Sequence, residues 1–145
     1  MIRPYQPSDI DSVLSIWLAA SIQAHDFIDS GFWESKLGDM RRHYLPASEN
    51  HVTEVAGQVA GFYSLYENTL AAIFVQPGYQ GQGLGRALLD DAKNRRKHLQ
   101  LTVYARNAPS IHFYRQQGFV TAGEQMDAHT GEPELLMQWS WAPSR

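Results

Sequence analysis

Three glycines at alternate positions, Gly81, Gly83 and Gly85, are the feature of this sequence that most restricts its fold. They follow the apolar run 73–75, which is typical of a strand, and they lead directly into a helix pattern over 83–97. Glycines leave the backbone amides uncovered by side chains, and the N-terminus of a helix favours negative charge. The segment therefore predicts a strand, an anion-binding loop and a helix in succession, with a pyrophosphate as the expected anion.

Two common nucleotide-binding loops do not fit this segment. A P-loop ends in Gly-Lys followed by Ser or Thr, whereas Arg86 follows Gly85 here. A Rossmann loop has the spacing G-x-G-x-x-G after the first strand of its unit, and these glycines differ in spacing and lie in the middle of the chain. A different kind of phosphate-binding fold is needed.

The other elements predict a mixed α/β (α+β) fold. Hydrophobic periodicity and turn residues give the order β-α-α-β-β-β-α-β-α-β-β, with the first helix opened by a capping box at Ser8 and Asp11 and the second ending before Pro46. Such an order predicts a mostly antiparallel sheet of about seven strands with helices on both faces. The two central strands that flank the helix 83–97 are expected to be parallel and to splay apart, leaving a slot.

Composition narrows the function classes. The 145 residues suit one domain, 1–145, and the net charge of −3 argues against nucleic acid as the main partner. The absence of cysteine removes disulfides, thiolate nucleophiles and zinc–thiolate sites, and no metal is expected. The start of the chain is unlike a signal peptide and no apolar run is long enough to span a membrane, so we expect a cytoplasmic protein without a membrane partner.

Charge is unevenly distributed along the chain. Residues 1–40 contain two basic and six acidic side chains, which could attract a cationic substrate. Basic side chains gather behind the glycine loop, at Arg86, Lys93, Arg95, Arg96 and Lys97. They could attract an anionic cofactor, or they could form an ordinary solvated helix face.

Three motifs resemble those of the GNAT superfamily of N-acetyltransferases. The signature Q/R-x-x-G-x-G/A of the superfamily is matched by Gln80, Gly83 and Gly85. A second marker, Asn followed seven residues later by Tyr ahead of Gly-Phe, is matched by Asn107, Tyr114, Gly118 and Phe119. Small bacterial members carry a His-x-Phe-Ile/Leu segment after the first helix, as this chain does at His25, Asp26, Phe27 and Ile28.

The resemblance implies acetyl-CoA as co-substrate and a set of residues that bind it. The strand before the loop would hold the pantetheine arm, the loop amides would hold the pyrophosphate, and Asn107 would steady the cofactor while also acting as a helix N-cap. The cofactor-binding residues expected on this basis are Ile73, Phe74, Val75, Gln80, Gly81, Gln82, Gly83, Leu84, Gly85, Arg86, Asn107 and Tyr114.

The resemblance also implies catalytic residues for direct transfer of acetyl to an amine in a ternary complex. Tyr114 would be the general acid beside the cofactor sulfur. Some relatives carry a Glu base where this chain has Thr102, so Glu67, His25 or a chain of waters would have to remove the amine proton.

The acceptor and the assembly are less restricted by the sequence. We expect His25, Phe27 and Trp33 to bind the acceptor amine, which could belong to a protein lysine, a protein N-terminus or a small molecule. Alternating aromatics at Trp139 and Trp141 favour burial but also permit a homodimer. Two other functions stay open: an acyl-CoA-sensing module without turnover, and a toxin-like acetyltransferase of aminoacyl-tRNA, which the acidic residues 1–40 disfavour.

Overall fold

The computed structural model describes residues 1–142, which form one seven-stranded sheet with helices on both faces. The order of strands across the sheet is β1-β2-β3-β4-β5-β7-β6, and every pair is antiparallel except β4 and β5. The strands are β1 (Ile2–Pro4), β2 (Glu49–Val55), β3 (Gln58–Tyr66), β4 (Thr69–Val75), β5 (His98–Tyr104), β6 (Val120–Met126) and β7 (Pro133–Ser140). The predicted fold class is confirmed.

Six α-helical segments pack on this sheet. They are α1 (Ile10–Ala24), α2 (Ser30–Ser35), α3 (Leu37–Asp39), α4 (Leu45–Ala47), α5 (Leu84–Arg95) and α6 (Ala108–Gln116). Segments α1 to α4 cover the face that carries Phe62 and Phe74, whereas α5 and α6 cover the face that carries Tyr63 and Leu101. Each face therefore has its own hydrophobic core, and the central strands separate them.

Two predicted helix boundaries differ from the structure. The residue that accepts the capping hydrogen bond before α1 is Asp9, which receives the Gln6 amide at 2.8 Å, rather than Asp11 paired with Ser8. Asp9 is favoured because it is also bound by the Arg3 guanidinium, which lowers the pKa of the Asp9 carboxyl. The predicted capping box at Ser8 and Asp11 was therefore wrong, because the box is formed two residues earlier, by Gln6 and Asp9.

The second predicted helix is divided into several pieces. A turn at Lys36 separates α2 from α3, and a π-helical turn (Met40–Tyr44) connects α3 to α4. Pro46 lies inside α4 rather than after the helix. Because proline cannot donate a backbone hydrogen bond and crowds the preceding turn, the wider π turn just before it relieves the conflict.

Candidate active site

The parallel strands β4 and β5 pair only near their N-terminal ends. Thr69 pairs with Gln100, and the Gln100 amide donates to the Asn68 carbonyl at 2.9 Å. No further residue pair of β4 and β5 is formed within residues 1–142. The two strands therefore diverge toward their C-terminal ends and leave the predicted slot through the sheet.

The open edge of β4 presents backbone groups to this slot. Gln76 donates its amide to the Ala60 carbonyl at 2.8 Å, and hydrogen-bonded pairs alternate along an antiparallel ladder. Phe74 therefore bonds toward β3, while the N–H and C=O groups of Ile73 and Val75 point away from β3 and into the slot.

The facing edge of β5 follows the same alternation. The amide of Ala105 donates to the Pro133 carbonyl at 2.9 Å, which puts residues 99, 101 and 103 in hydrogen bonds with β7. Thr102 and Tyr104 then direct their backbone groups toward the slot. The Tyr104 carbonyl accepts the Asn107 amide at 2.9 Å, whereas the backbone groups of Ile73 and Thr102 have no strand partner on the slot side in the described part of the chain. Both walls therefore present backbone groups that an extended ligand can bind.

The glycine loop closes one end of the slot. Gly81 and Gly83 have φ angles of +79° and +82°, which side chains disfavour. The first hydrogen bond of α5 runs from Ala87 to Gly83, so the amides of Leu84, Gly85 and Arg86 have no acceptor one turn earlier in the helix. These free amides, together with the dipole of α5, are suited to binding an anion.

Two side chains shape this loop in different ways. Gln80 donates through Nε2 to the Val75 carbonyl at 3.2 Å, which fastens the loop to the end of β4. Gln82 is exposed and does not line the cleft. A Cβ added to Gly85 would meet only Phe113 and Val75 at ordinary contact distances, so packing alone does not demand glycine at this position. The space beside Gly85 belongs to the cleft.

Slot and loop are parts of one cleft of about 1030 Å³ that also reaches the α1–α2 face. On the α5–α6 face it is lined by Ile73, Val75 and Tyr114, and on the α1–α2 face by Phe74 and other aromatic residues. A volume of this size holds a cofactor-sized molecule. The passage through the sheet lets two molecules meet from opposite faces.

Tyr114 lies on α6, two turns after Asn107, and lines the cleft. Its ring packs edge-on against Phe113, with centroids 5.4 Å apart, and near Phe119 at 5.7 Å. Burial raises the pKa of the Tyr114 hydroxyl, so this group keeps its proton at neutral pH. It can therefore act as a proton donor.

His25 and Asn107 meet in the wall of the cleft. Asn107 Oδ1 accepts the Ser110 amide at 3.3 Å, which leaves the Asn107 Nδ2 group 3.3 Å from Nε2 of His25. Burial lowers the pKa of His25, against a smaller opposing effect of the Ser21 carbonyl, so the imidazole is neutral and accepts at Nε2. Asn107 therefore serves both as the predicted N-cap and as part of the cleft wall.

Aromatic side chains surround His25 on the α1–α2 face. Its ring stacks on Trp33 with centroids 5.1 Å apart, and Tyr104 approaches edge-on at 5.1 Å. Phe27 lies 5.8 Å from both His25 and Tyr104. The structure thus brings together the three residues expected at the acceptor, His25, Phe27 and Trp33, and adds Tyr104, which the sequence analysis missed.

Comparison with known proteins gives a consistent result. A family profile described as "Acetyltransferase (GNAT) domain" matches residues 24–138. The chain is 36% identical to peptidyl-lysine N-acetyltransferase YiaC of Escherichia coli, over 96% of each chain. This chain belongs to the GNAT superfamily. It is therefore an N-acetyltransferase, as its motifs predicted.

Solved GNAT structures agree with this fold. The solution structure of apo YjaB from Escherichia coli has 26% identity and a TM-score of 0.82, with 98% of each chain covered. The PaiA N-acetyltransferase of Thermoplasma acidophilum, solved in complex with coenzyme A, has 16% identity and a TM-score of 0.78 over 97% of this chain and 98% of that one. The fold is therefore shared even where the sequence has diverged.

Within this GNAT cleft, one predicted base is poorly placed. Glu67 lies exposed in the turn between β3 and β4, at the end of β4 opposite the glycine loop, and does not line the cleft. Its carbonyl accepts a hydrogen bond from Arg96 Nε at 2.8 Å. His25 and Thr102 do line the cleft, so the structure brings only one of the two predicted bases to it.

Most of the basic residues behind the loop have structural partners. Lys93 donates to the Gln117 carbonyl and lies 5.0 Å above the Trp139 ring, Arg95 bonds Asp91 and Tyr63, and Arg96 pairs with Glu49 at 3.0 Å. From this group, Arg86 alone lines the cleft. The cluster therefore supplies one cation to the site rather than five.

Two further observations concern other ligands. Within the described residues 1–142, no group of three or more His, Asp or Glu side chains is arranged to hold a metal ion. In that same part of the chain, no helix has both the length and the apolar character that crossing a bilayer requires.

Proposed function

We propose that this chain transfers an acetyl group from acetyl-CoA to the amino group of a lysine side chain in a protein or peptide. The observation that carries the proposal is the slot between β4 and β5, which joins an anion-binding loop on one face to an aromatic mouth on the other. YiaC and YjaB, the latter 27% identical over 97% of this chain, are both named peptidyl-lysine N-acetyltransferases, which supports lysine as the acceptor.

The residues present fit coenzyme A. Ile73 offers its backbone N–H and C=O, and Val75 its N–H, to the pantetheine arm, since the Val75 carbonyl already accepts from Gln80. The amides of 81–86 offer donors to the pyrophosphate. Arg86 adds one positive charge at the loop. Acetyl-CoA would supply a thioester carbonyl that an amine can attack.

Catalysis in this proposal is direct transfer in a ternary complex. The amine nitrogen forms a bond to the thioester carbonyl carbon, the carbon–sulfur bond breaks, and Tyr114 gives its proton to the departing thiolate. A backbone amide of β4 near Ala71, which is the extra residue of a bulge opposite Ser64 and Leu65, polarises the carbonyl. These residues are assigned on geometry and family resemblance together.

The amine must lose a proton before it attacks. His25 is the predicted base that lines the cleft, and its neutral imidazole has the correct protonation state. Asn107 Nδ2 contacts Nε2 of His25, so the Asn107 amide would have to move away before His25 could accept the proton. The alternative acceptor of the proton is water in the open cleft. Either His25 or water is the base in this proposal, and Glu67, which does not line the cleft, is not.

Three broader features are part of the same proposal. Residues 1–145 would form one domain, and the protein would act in the cytoplasm. A homodimer would use Trp141, whose surface is 55% exposed, rather than Trp139, which packs on the core. Light scattering of the purified protein tests the dimer.

Two assays test the proposed function. Acetyl-CoA at about 100 times its dissociation constant should stabilise the protein by roughly 2.7 kcal/mol through mass action. A thiol-release assay with lysine peptides, free N-terminal peptides, polyamines and aminoacyl-tRNA then identifies the acceptor class. Stabilisation without thiol release from any amine would instead indicate a sensing module.

A further inference from the structure

The mouth of the cleft on the α1–α2 face contains a carboxylate held in a fixed orientation. The Tyr104 hydroxyl donates a hydrogen bond to Asp127 Oδ2, and the His129 amide donates to Asp127 Oδ1 at 2.9 Å. Asp127 lies just after β6, and both Tyr104 and Asp127 line the cleft. Two elements far apart in sequence thus present one negative charge to the cavity.

The protonation states of this pair are defined. Burial, followed by the hydrogen bond to Asp127, raises the pKa of Tyr104, so the phenol stays protonated. Burial opposes ionisation of Asp127, but hydrogen bonds from Tyr104 and from the His129 amide outweigh it and lower the pKa of the carboxyl. Asp127 is therefore an anion at neutral pH.

A buried polar atom near this pair has no partner. Trp33 is 8% exposed, and its Nε1 has no hydrogen-bond partner within residues 1–142. The Trp33 side chain lines the same cleft. Unpaired buried donors are costly, which points to a ligand or ordered water at this position.

The charge around the mouth is mainly negative. Asp26 and Glu134 also line the cleft. Arg106 also lines the cleft, where it pairs with Glu132 at 3.2 Å and lies 5.5 Å from the Phe27 ring. Its charge is thus largely balanced, and the mouth favours a cation.

We infer that Asp127, oriented by Tyr104, determines acceptor specificity by binding the ammonium group of a lysine-type side chain. The stem of that side chain would lie against the cleft-facing sides of Phe27, Trp33 and Tyr104, whose rings pack on one another. Aromatic walls suit both methylene groups and a cation, but they offer few partners to the peptide groups that adjoin a protein N-terminus. This inference rests on the proposed acetyl transfer to lysine.

Binding the ammonium ion affects affinity more than turnover. Asp127 stabilises the charged form of the amine, which is not the nucleophile, so the carboxylate captures the acceptor without itself accelerating attack. Loss of its charge should therefore raise KM for the acceptor and leave kcat and acetyl-CoA affinity largely unchanged.

The test uses the intact protein, acetyl-CoA and two peptides: one with a blocked N-terminus and a single lysine, the other with a free N-terminus and no lysine. Asp127→Asn should raise KM for the lysine peptide about 10- to 100-fold, the range for a lost charge-assisted hydrogen bond. Tyr104→Phe should give a smaller increase. Glu124→Gln removes an exposed charge on the same hairpin and is the matched control.

The outcomes separate this inference from the proposed function. If the wild type acetylates the lysine peptide but both variants keep KM within about twofold of it, the inference is wrong while the function stands. Equal kcat/KM of the wild type for the two peptides also overturns it. Failure of the wild type to bind acetyl-CoA would overturn the function itself. Asp127 also lies in the hairpin turn, so Asp127→Asn changes a residue that supports the turn. Tyr104→Phe leaves the turn residues unchanged and tests the inference if Asp127→Asn does not fold.

Discussion

The side-chain amide of Asn107 lies 3.3 Å from Nε2 of His25, a residue 82 positions earlier in the chain. The contact joins the start of α6 to the end of α1 across the mouth of the cleft. It fixes which imidazole nitrogen is unprotonated, because Nδ2 of Asn107 can only donate. His25 and Asn107, which belong to separate motifs, are thus in direct contact.

Acidification should destabilise the protein through His25. Burial lowers the pKa of this histidine below its ordinary value of about 6.5. Between that value and the lower folded pKa, the unfolded chain binds a proton that the native state does not. Unfolding free energy should therefore fall as pH drops below about 6.5, by up to roughly 1.4 kcal/mol per pH unit. Denaturant titrations of wild type and His25→Gln at about pH 7.5 and 5.5 measure this pH dependence of the free energy of unfolding.

Two variants check that explanation. His112→Gln, at an exposed site, should keep the wild-type pH dependence, whereas His25→Gln should lose part of it. Asn107→Asp keeps an oxygen for the Ser110 amide but puts a carboxylate beside Nε2, so an NMR titration should show a higher pKa for His25. An unchanged titration curve would contradict the contact.

Glycine at position 83 should be required for cofactor binding as well as for backbone geometry. Gly57 and Gly83 have φ angles of +77° and +82°, and a Cβ added to either would meet nothing within 4 Å. Valine at either position should therefore cost a similar few kcal/mol of backbone strain. Calorimetric titration should show acetyl-CoA affinity lost in Gly83→Val only. Equal acetyl-CoA affinity of the Gly57→Val and Gly83→Val variants would contradict binding of the pyrophosphate at this loop.

Arg86 should be the single residue of the basic cluster that contributes to acetyl-CoA affinity. Its side chain is exposed, so we expect Arg86→Gln to weaken binding about three- to fivefold at low salt and less at high salt. Lys97→Gln is the charge-matched control, since Lys97 lies 5.8 Å from the ring of Trp141 and not at the cleft. Comparable losses in both variants would favour a diffuse field over a local contact.

Local patterns in the sequence predicted the elements that local chemistry controls. The glycine loop, the N-cap at Asn107 and the strand 73–75 depend on residues within a few positions of each other, and all appear in the structure. The splayed strands followed from the order of elements. These features define the cofactor half of the cleft.

The acceptor half depends on contacts that a single sequence does not display. Tyr104 and Asp127 meet only because β5 pairs with β7 and the β6–β7 hairpin brings its turn back to the end of β5. Lys93 and Arg96 likewise find their partners across the fold. The position of the turn 127–132 beside Phe27 depends on the register of three strands.

Tyr114 should be needed for turnover but not for binding. Tyr114→Phe keeps the ring that packs against Phe113 and removes the proton donor, so kcat should fall about 10²- to 10⁴-fold while acetyl-CoA affinity changes little. Tyr66→Phe, at a half-exposed tyrosine in β3, is the control and should behave as wild type. A kcat of Tyr114→Phe within about threefold of wild type in single-turnover conditions would exclude this role.

The central claim is direct transfer of acetyl from acetyl-CoA to a lysine side chain within the slot between β4 and β5. Mass spectrometry of one reaction tests it most directly: wild-type protein, acetyl-CoA, and a peptide with a blocked N-terminus and a single lysine, sampled through the first turnovers. We predict one acetyl group on the lysine Nζ for each free coenzyme A, with no acetylated form of the protein on the path. Release of coenzyme A without acetylated lysine, or tight binding of acetyl-CoA with no release at all, would contradict the claim.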